Sequence, residues 1–354
     1  MAKCDLLIVI DQGKDTFRVG ETVSGRVQVS VDSDCRCNGL SIERLWATHG
    51  RGNRTSGGKE EQVLFQGEWR AGEQHSYPFS FAIPPGPVTY HGHYLNVDFY
   101  LRAQADIPWA FDPKAERELV VLPPEDPGAL AVPSPEPTEG FDQVLQTVNA
   151  FGGNLVLIFG GVFFLVGLGV LIPGALLVGS KGTIGLPPLL FGVVFSLVGG
   201  FIGYMAIRNR LAEKKLGPVL LKAEPVRLGP GESVALSLRF TPRARANLNR
   251  ITATLQGKEV VVSGSGTNRT THTHTLHTET RELHSGGDLF PGEEQDLAET
   301  LSLPADAPFS FSAPSNQLVW SLTAHIDVAG WPDWSQSVPL VVTPYRASSA
   351  SLGG

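Results

Sequence analysis

No charged residue lies between Asp142 and Lys181, and none lies between Lys181 and Arg208. From Phe151 to Val178 the chain is almost wholly apolar side chains and glycine. A helix needs about 20 such residues to cross a hydrocarbon layer of about 30 Å. Both spans are long enough, so the pattern predicts two transmembrane helices, at about 151–178 and 184–207. Together they make a hairpin over 151–207, with Lys181 to Pro188 as the turn. The competing arrangement is a pair of core helices in a soluble protein. Helices buried on every side are rare at this length.

The glycines of the hairpin have a period. Gly153, Gly160, Gly167 and Gly174 recur every seven residues, as do Gly185, Gly192 and Gly199. A seven-residue repeat keeps one seam facing a partner helix, and glycine on the seam lets two backbones approach closely. Gly199 and Gly203 add a GxxxG pair, a weak pointer to self-association. Pro173 is expected to kink or end the first helix. No charge lies within either span to carry protons or ions.

Orientation follows from the flanks. The segment RNRLAEKK carries Arg208, Arg210, Lys214 and Lys215, against Lys181 alone in the turn. The positive-inside rule then places the end of the second helix in the cytoplasm. Two crossings return the chain to its starting side. The N-terminal run Leu6 to Ile10 is too short for a signal-peptide core and reads as a first β-strand. The expected location is a bacterial cytoplasmic membrane, with both termini on the cytoplasmic side.

The rest of the chain reads as one pattern written twice. FRVGETVSGRVQV (Phe17 to Val29) matches VRLGPGESVALSLRF (Val226 to Phe240), with Gly20-Glu21 on Gly231-Glu232. GRGNRT matches GSGTNRT, with Asn53 on Asn268, and Gly72-Glu73 matches Gly292-Glu293. Leu95 to Trp109 matches Gln317 to Trp331, with Ala103 on Ala324 and Asp106 on Asp327. The offset drifts slowly and keeps order, which chance matches would not do. Tyr77, Phe81 and Ile83 have Leu297, Leu301 and Leu303 as counterparts, and Glu299 breaks the match at Phe79.

Within each copy, short alternating strands are broken by Gly, Pro or Asn, the signature of an antiparallel β-sandwich. Val23, Val27 and Val29, like Val234, Leu238 and Phe240, form one inward face. The Gly-Glu pairs are expected to turn the chain between strands. The predicted organisation is a sandwich over 1–124, an acidic Pro-rich linker over 125–150 and the hairpin. A basic juxtamembrane segment (208–216), a second sandwich (217–345) and a tail (346–354) follow.

The run GETVSGRVQV, CNGLSIERLWATHG, AGEQHSYPFSFAIPP and a strand ending YLRAQADIP resembles the arrestin fold. It is similar in particular to bacterial arrestin-like proteins, including sporulation-control proteins, and to the retromer subunit of that fold. The resemblance covers residues 3–124 well and 217–345 more loosely. It implies two immunoglobulin-like sandwiches acting as a non-catalytic adaptor or scaffold. The chain departs from the family in placing a membrane hairpin where a short hinge is usual. Its first strand lacks paired phosphate-reading lysines, and its end, YRASSASLGG, lacks coat- or ligase-binding motifs.

No site chemistry stands out. Nucleophile-elbow, HExxH, zinc-ribbon and dinucleotide patterns are absent, and GALLVGSK (Gly174 to Lys181) only approximates a P-loop. In THTHTLHT, His272 and His274 would share one face of a strand and His277 the other. Two histidines at that spacing do not make a metal site without a third ligand. A net charge of −7 and no basic face argue against nucleic acid. Three cysteines, Cys4, Cys35 and Cys37, suit a reducing compartment. No catalytic residue, metal site or cofactor is expected. The expected partners are the lipid bilayer and cytoplasmic or membrane proteins, with self-association through the helices left open. The alternatives are a transport, channel or membrane-stress component working through oligomerised helices, and an enzyme whose site has no recognisable motif.

Overall fold

The computed structural model describes residues 3–124 and 152–345. Four Gly-Glu turns set its plan. At each, the glycine takes a positive φ: +88° at Gly20, +84° at Gly72, +75° at Gly231 and +81° at Gly292. The next N–H closes the turn, from Glu21 to Arg18 O, Glu73 to Arg70 O, Glu232 to Gly229 O and Glu293 to Phe290 O. Only glycine takes that φ freely. In three turns the glutamate carboxylate also accepts the N–H of the turn's first residue, Arg18, Arg70 or Gly229. Those bonds hold the Glu21 and Glu73 carboxyls below their usual range. The repeated motif is structural.

Lobe 1 stacks a sheet of β1 (Cys4–Ile10), β3 (Thr22–Val31) and β6 (Gln74–Ala82) on a second sheet. The second has β2 (Thr16–Arg18), β9 (Lys114–Leu122), β8 (Leu95–Asp106), β4 (Cys35–Gly50) and β5 (Ser56–Trp69) in that order, with β7 (Tyr90–His91) beside β8. Lobe 2 repeats the design. Its small sheet is β10 (Val219–Glu224), β12 (Ser233–Phe240) and β16 (Gln295–Ser302). Its large sheet is β11 (Arg227–Leu228), β19 (Trp334–Val342), β18 (Asn316–Val328), β13 (Ala246–Ser263) and β14 (Thr270–His284). β15 (Gly287–Leu289) and β17 (Phe311–Ala313) flank that sheet. Both lobes even share a short parallel pairing, β2 with β9 and β11 with β19. Val23, Val27 and Val29 and their counterparts Val234, Leu238 and Phe240 are all buried between the sheets.

Between the lobes run α1 (Gly152–Lys181) and α2 (Leu186–Leu216), joined by a short 3-10 turn, Gly182–Gly185. Helix α1 runs through Pro173 without ending. Both helices are long and apolar enough to cross a membrane. Away from each other they expose large side chains, among them Leu165, Leu176, Leu197 and Phe201. The second helix does not stop at Ile207. Its last turns, expected as a separate basic segment, are helical to Leu216 and join the core of lobe 2, where Ala212 and Leu216 are buried.

Candidate functional site

The two lobes meet at matching ends of the repeat. Glu259, on β13, is fully buried there. Its Oε1 accepts the Tyr90 hydroxyl at 2.6 Å and the His93 N–H at 2.9 Å, and its Oε2 accepts the Tyr94 N–H at 2.7 Å. All three donors belong to lobe 1. Burial, and then the bond to Glu259, push the Tyr90 phenol far up, so it stays a donor. A side chain at Gly92 would collide with this carboxylate.

The hairpin tips close the rest of the contact. Asn53, between β4 and β5, lies against Gly264, between β13 and β14. The amide of Asn316, also buried, donates to Thr48 Oγ1 and to the Asn53 carbonyl. Trp46 meets Phe311 edge-on, and Tyr90 meets Phe309 likewise. Val261, Phe309, Phe311 and Leu318 of lobe 2 thereby extend the lobe 1 core.

Two histidines of THTHTLHT, His272 and His274, belong to this contact. His274 stacks on His93 with ring centres 4.3 Å apart, and His272 lies against Tyr94 and bonds Ser263. His277 departs from its expected face. A register shift between Gly257 and Lys258 leaves Leu276 unpaired, which turns His277 inward onto Trp320. Strand alternation fails across a bulge. Among the described residues no group of three His, Cys, Asp or Glu side chains could hold a metal ion. The three cysteines are free and buried.

The helix contact is made by the periodic glycines. A Cβ on Gly160, Gly167, Gly174, Gly192 or Gly199 would come within 3.0 Å of backbone on the facing helix. One on Gly185 would strike the end of α1 at Val178. Gly203 has open space where its Cβ would be, although Gly160 faces its backbone. The surroundings of Gly153 lie outside the described residues. Ser196, opposite Gly167, has a buried hydroxyl without a partner.

Of the basic residues, Arg210 and Lys214 are exposed on the last turns of α2. Lys215 lies over the Trp331 ring, 4.4 Å from its centre, and Arg208 is half-buried. Lobe 2 also grips this helix end through hydrogen bonds, backbone ones from Arg243 and Ala244 N–H to Lys215 O among them. Trp331 Nε1 donates to Leu211 O, Trp334 Nε1 to Glu213 Oε1, and Asn209 Nδ2 to Ser335 O. Sequence reading found the charges here but not the grip, because RNRLAEKK has too few apolar residues to announce a buried face. Glu259 was also missed. Its lobe 1 partners lie more than 160 residues away.

The family model of the arrestin (or S-antigen) N-terminal domain matches residues 61–127, from within β5 past the end of β9. This stretch of the chain is arrestin-like. Among solved structures, the chain is similar to Spo0M, a sporulation control protein from Bacillus subtilis, at 21% identity and a TM-score of 0.29. That alignment covers 35% of this chain and 48% of Spo0M, so about half of that protein's length is spanned. No curated protein matches.

Proposed function

We propose that this chain is a membrane-anchored, arrestin-like adaptor, which presents two docked sandwiches to protein partners at the cytoplasmic face. One observation carries the reading: Ala212 and Leu216, at the end of a helix long enough to span a bilayer, are part of the lobe 2 core. A helix so embedded cannot swing freely beneath its domain. The Glu259 contact then ties lobe 1 to lobe 2, so both lobes would be held near the lipid. Support for the bilayer itself comes from the helix faces. Only 11% of each apolar window is buried within the chain, whereas a core helix of a soluble protein is mostly covered. The basic residues after Ile207 favour a cytoplasmic side for the lobes.

The experiment replaces residues 141–207 with a flexible linker and keeps 208–216. The expected product is soluble, keeps both lobes docked and retains the partners that proximity labelling from either lobe finds for the full chain. Loss of every partner would make the helices the working part and favour a transport or channel role. Reporter fusions supply the topology. One at the C-terminus and one in the Lys181 turn should give opposite signals, and a C-terminal reporter active outside the cytoplasm would overturn the orientation.

A further inference from the structure

One turn is built twice, and only one copy is covered. In lobe 1 the Ala110 N–H donates to Ile107 O at 3.2 Å, and Asp112 Oδ1 accepts the Ile107 N–H at 3.3 Å. In lobe 2 the Trp331 N–H donates to Val328 O at 3.1 Å, and Asp333 Oδ1 accepts the Val328 N–H at 3.2 Å. The residue before the closing N–H has φ +63° at Trp109 and +64° at Gly330. Glycine adopts that conformation without strain. For tryptophan it is an outlier. Nothing within the lobe compensates, because Trp109 is 103% exposed and Phe111, two residues on, is 81% exposed. A strained backbone that displays two aromatic rings to solvent marks a surface kept for contact.

Lobe 2 shows the kind of element that lies over this turn, held there by Trp331, whose lobe 1 counterpart is Ala110, with Trp109 and Phe111 on either side of it in sequence. There the last turns of α2 cover it: Trp331 bonds Leu211 O, Lys215 lies over the indole, and Ala212 and Leu216 enter the core. Among the described residues nothing covers the turn of lobe 1. Asp106 and Asp112, both exposed, flank the two aromatic residues in sequence, with Lys114 the nearest cation along the chain. That balance favours a basic segment. We infer that the Ile107–Asp112 turn docks an amphipathic helix of a partner protein, one with basic residues around small and leucine side chains, as in residues 208–216. Trp109 and Phe111 are its anchors, the residue types that dominate such contacts. The inference goes beyond the adaptor reading and stands even if the hairpin does not cross a membrane.

The test uses the full chain in phosphatidylcholine vesicles and a capped peptide with the sequence MAIRNRLAEKKLG. Saturable binding is expected, weakened about tenfold or more in Trp109→Gly and in Phe111→Ser. A scrambled peptide of the same composition should not bind. Trp109→Gly should also melt no lower than the natural chain, since glycine removes the strain, and Phe111→Ser provides a second variant with an unaltered backbone. Absence of binding, or binding that ignores both substitutions, would overturn the inference. So would quenching of Trp109 fluorescence by brominated lipid, read as the difference between the natural chain and Trp109→Gly. That result would make the bilayer the occupant.

Discussion

Asn53 and Gly264 pair like two strands through a side chain. Asn53 Nδ2 donates to Gly264 O at 2.8 Å, and Asn53 Oδ1 accepts the Gly264 N–H at 3.1 Å. The Asn53 backbone N–H adds a bond to Val262 O at 2.8 Å. One amide thus satisfies both backbone groups of a residue in the other lobe. Asn53→Ala should cost about 0.5–1.5 kcal/mol of lobe docking, the net range for hydrogen bonds whose groups water can reach once the amide is gone. Asn53→Asp keeps an acceptor for the Gly264 N–H but sets a carboxylate oxygen against the Gly264 carbonyl, so it should cost at least as much as Asn53→Ala. Hydrogen exchange at the Gly264 amide and at the amide of residue 53 would report it, and unchanged protection of Gly264 in Asn53→Ala would refute the role.

Glu259 should matter more. Glu259→Gln turns one oxygen into a donor facing N–H or O–H groups, and all three of its present partners are donors. Loosened lobes and a loss of about 2–4 kcal/mol are expected for a charged, buried hydrogen-bond hub. Tyr90→Phe removes one bond only and should cost about 1–2 kcal/mol. Limited proteolysis between the lobes, together with thermal unfolding, ranks the two variants.

For the helices, Gly167 is the position to test. A side chain there meets the Ser196 backbone, so Gly167→Leu must push the helices apart, at about 1–3 kcal/mol or more. Val166, next to it, is 47% exposed, and Val166→Leu should stay within about 0.5 kcal/mol. Yield and melting temperature in a mild detergent separate them. Equal effects would mean that the glycine seam does not hold the hairpin.

Alkaline pH should weaken lobe 1. Burial first, then neighbouring thiols and carboxylates, push the Cys4 thiol from 9.0 up to about 12. Burial pushes Cys37 up to about 11, against the opposing bond from Gly39 N–H. Because the folded values are raised, the unfolded chain loses these protons first. Their contribution to stability is complete below about pH 9 and is lost as pH rises toward 11–12. The urea midpoint should therefore fall above pH 9, and less steeply in a Cys4→Ala, Cys37→Ala double variant. Parallel curves would show that other groups control the alkaline limit.

Local chemistry was legible in the chain itself. The Gly-Glu turns, the alternating inward valines and the seven-residue glycine period each depend on neighbours along the backbone. For that reason they foretold two sandwiches and a close-packed helix pair. Tertiary structure alone decided where these units join. The bulge at Leu276 moved His277 to the inner face, since a skipped pairing reverses every later side chain. Pro173 did not stop α1, which runs on for two more turns. The run 208–216 became part of lobe 2 because two apolar side chains, Ala212 and Leu216, found a core to enter. Trp109 matched Gly330 only once both turns had been laid down with the same hydrogen bonds. Glu259, in a strand that otherwise alternates like its neighbours, acquired a role only when Tyr90, His93 and Tyr94 were brought to it. Periodicity encodes which face of an element is buried; what lies against that face depends on contacts between residues far apart in sequence.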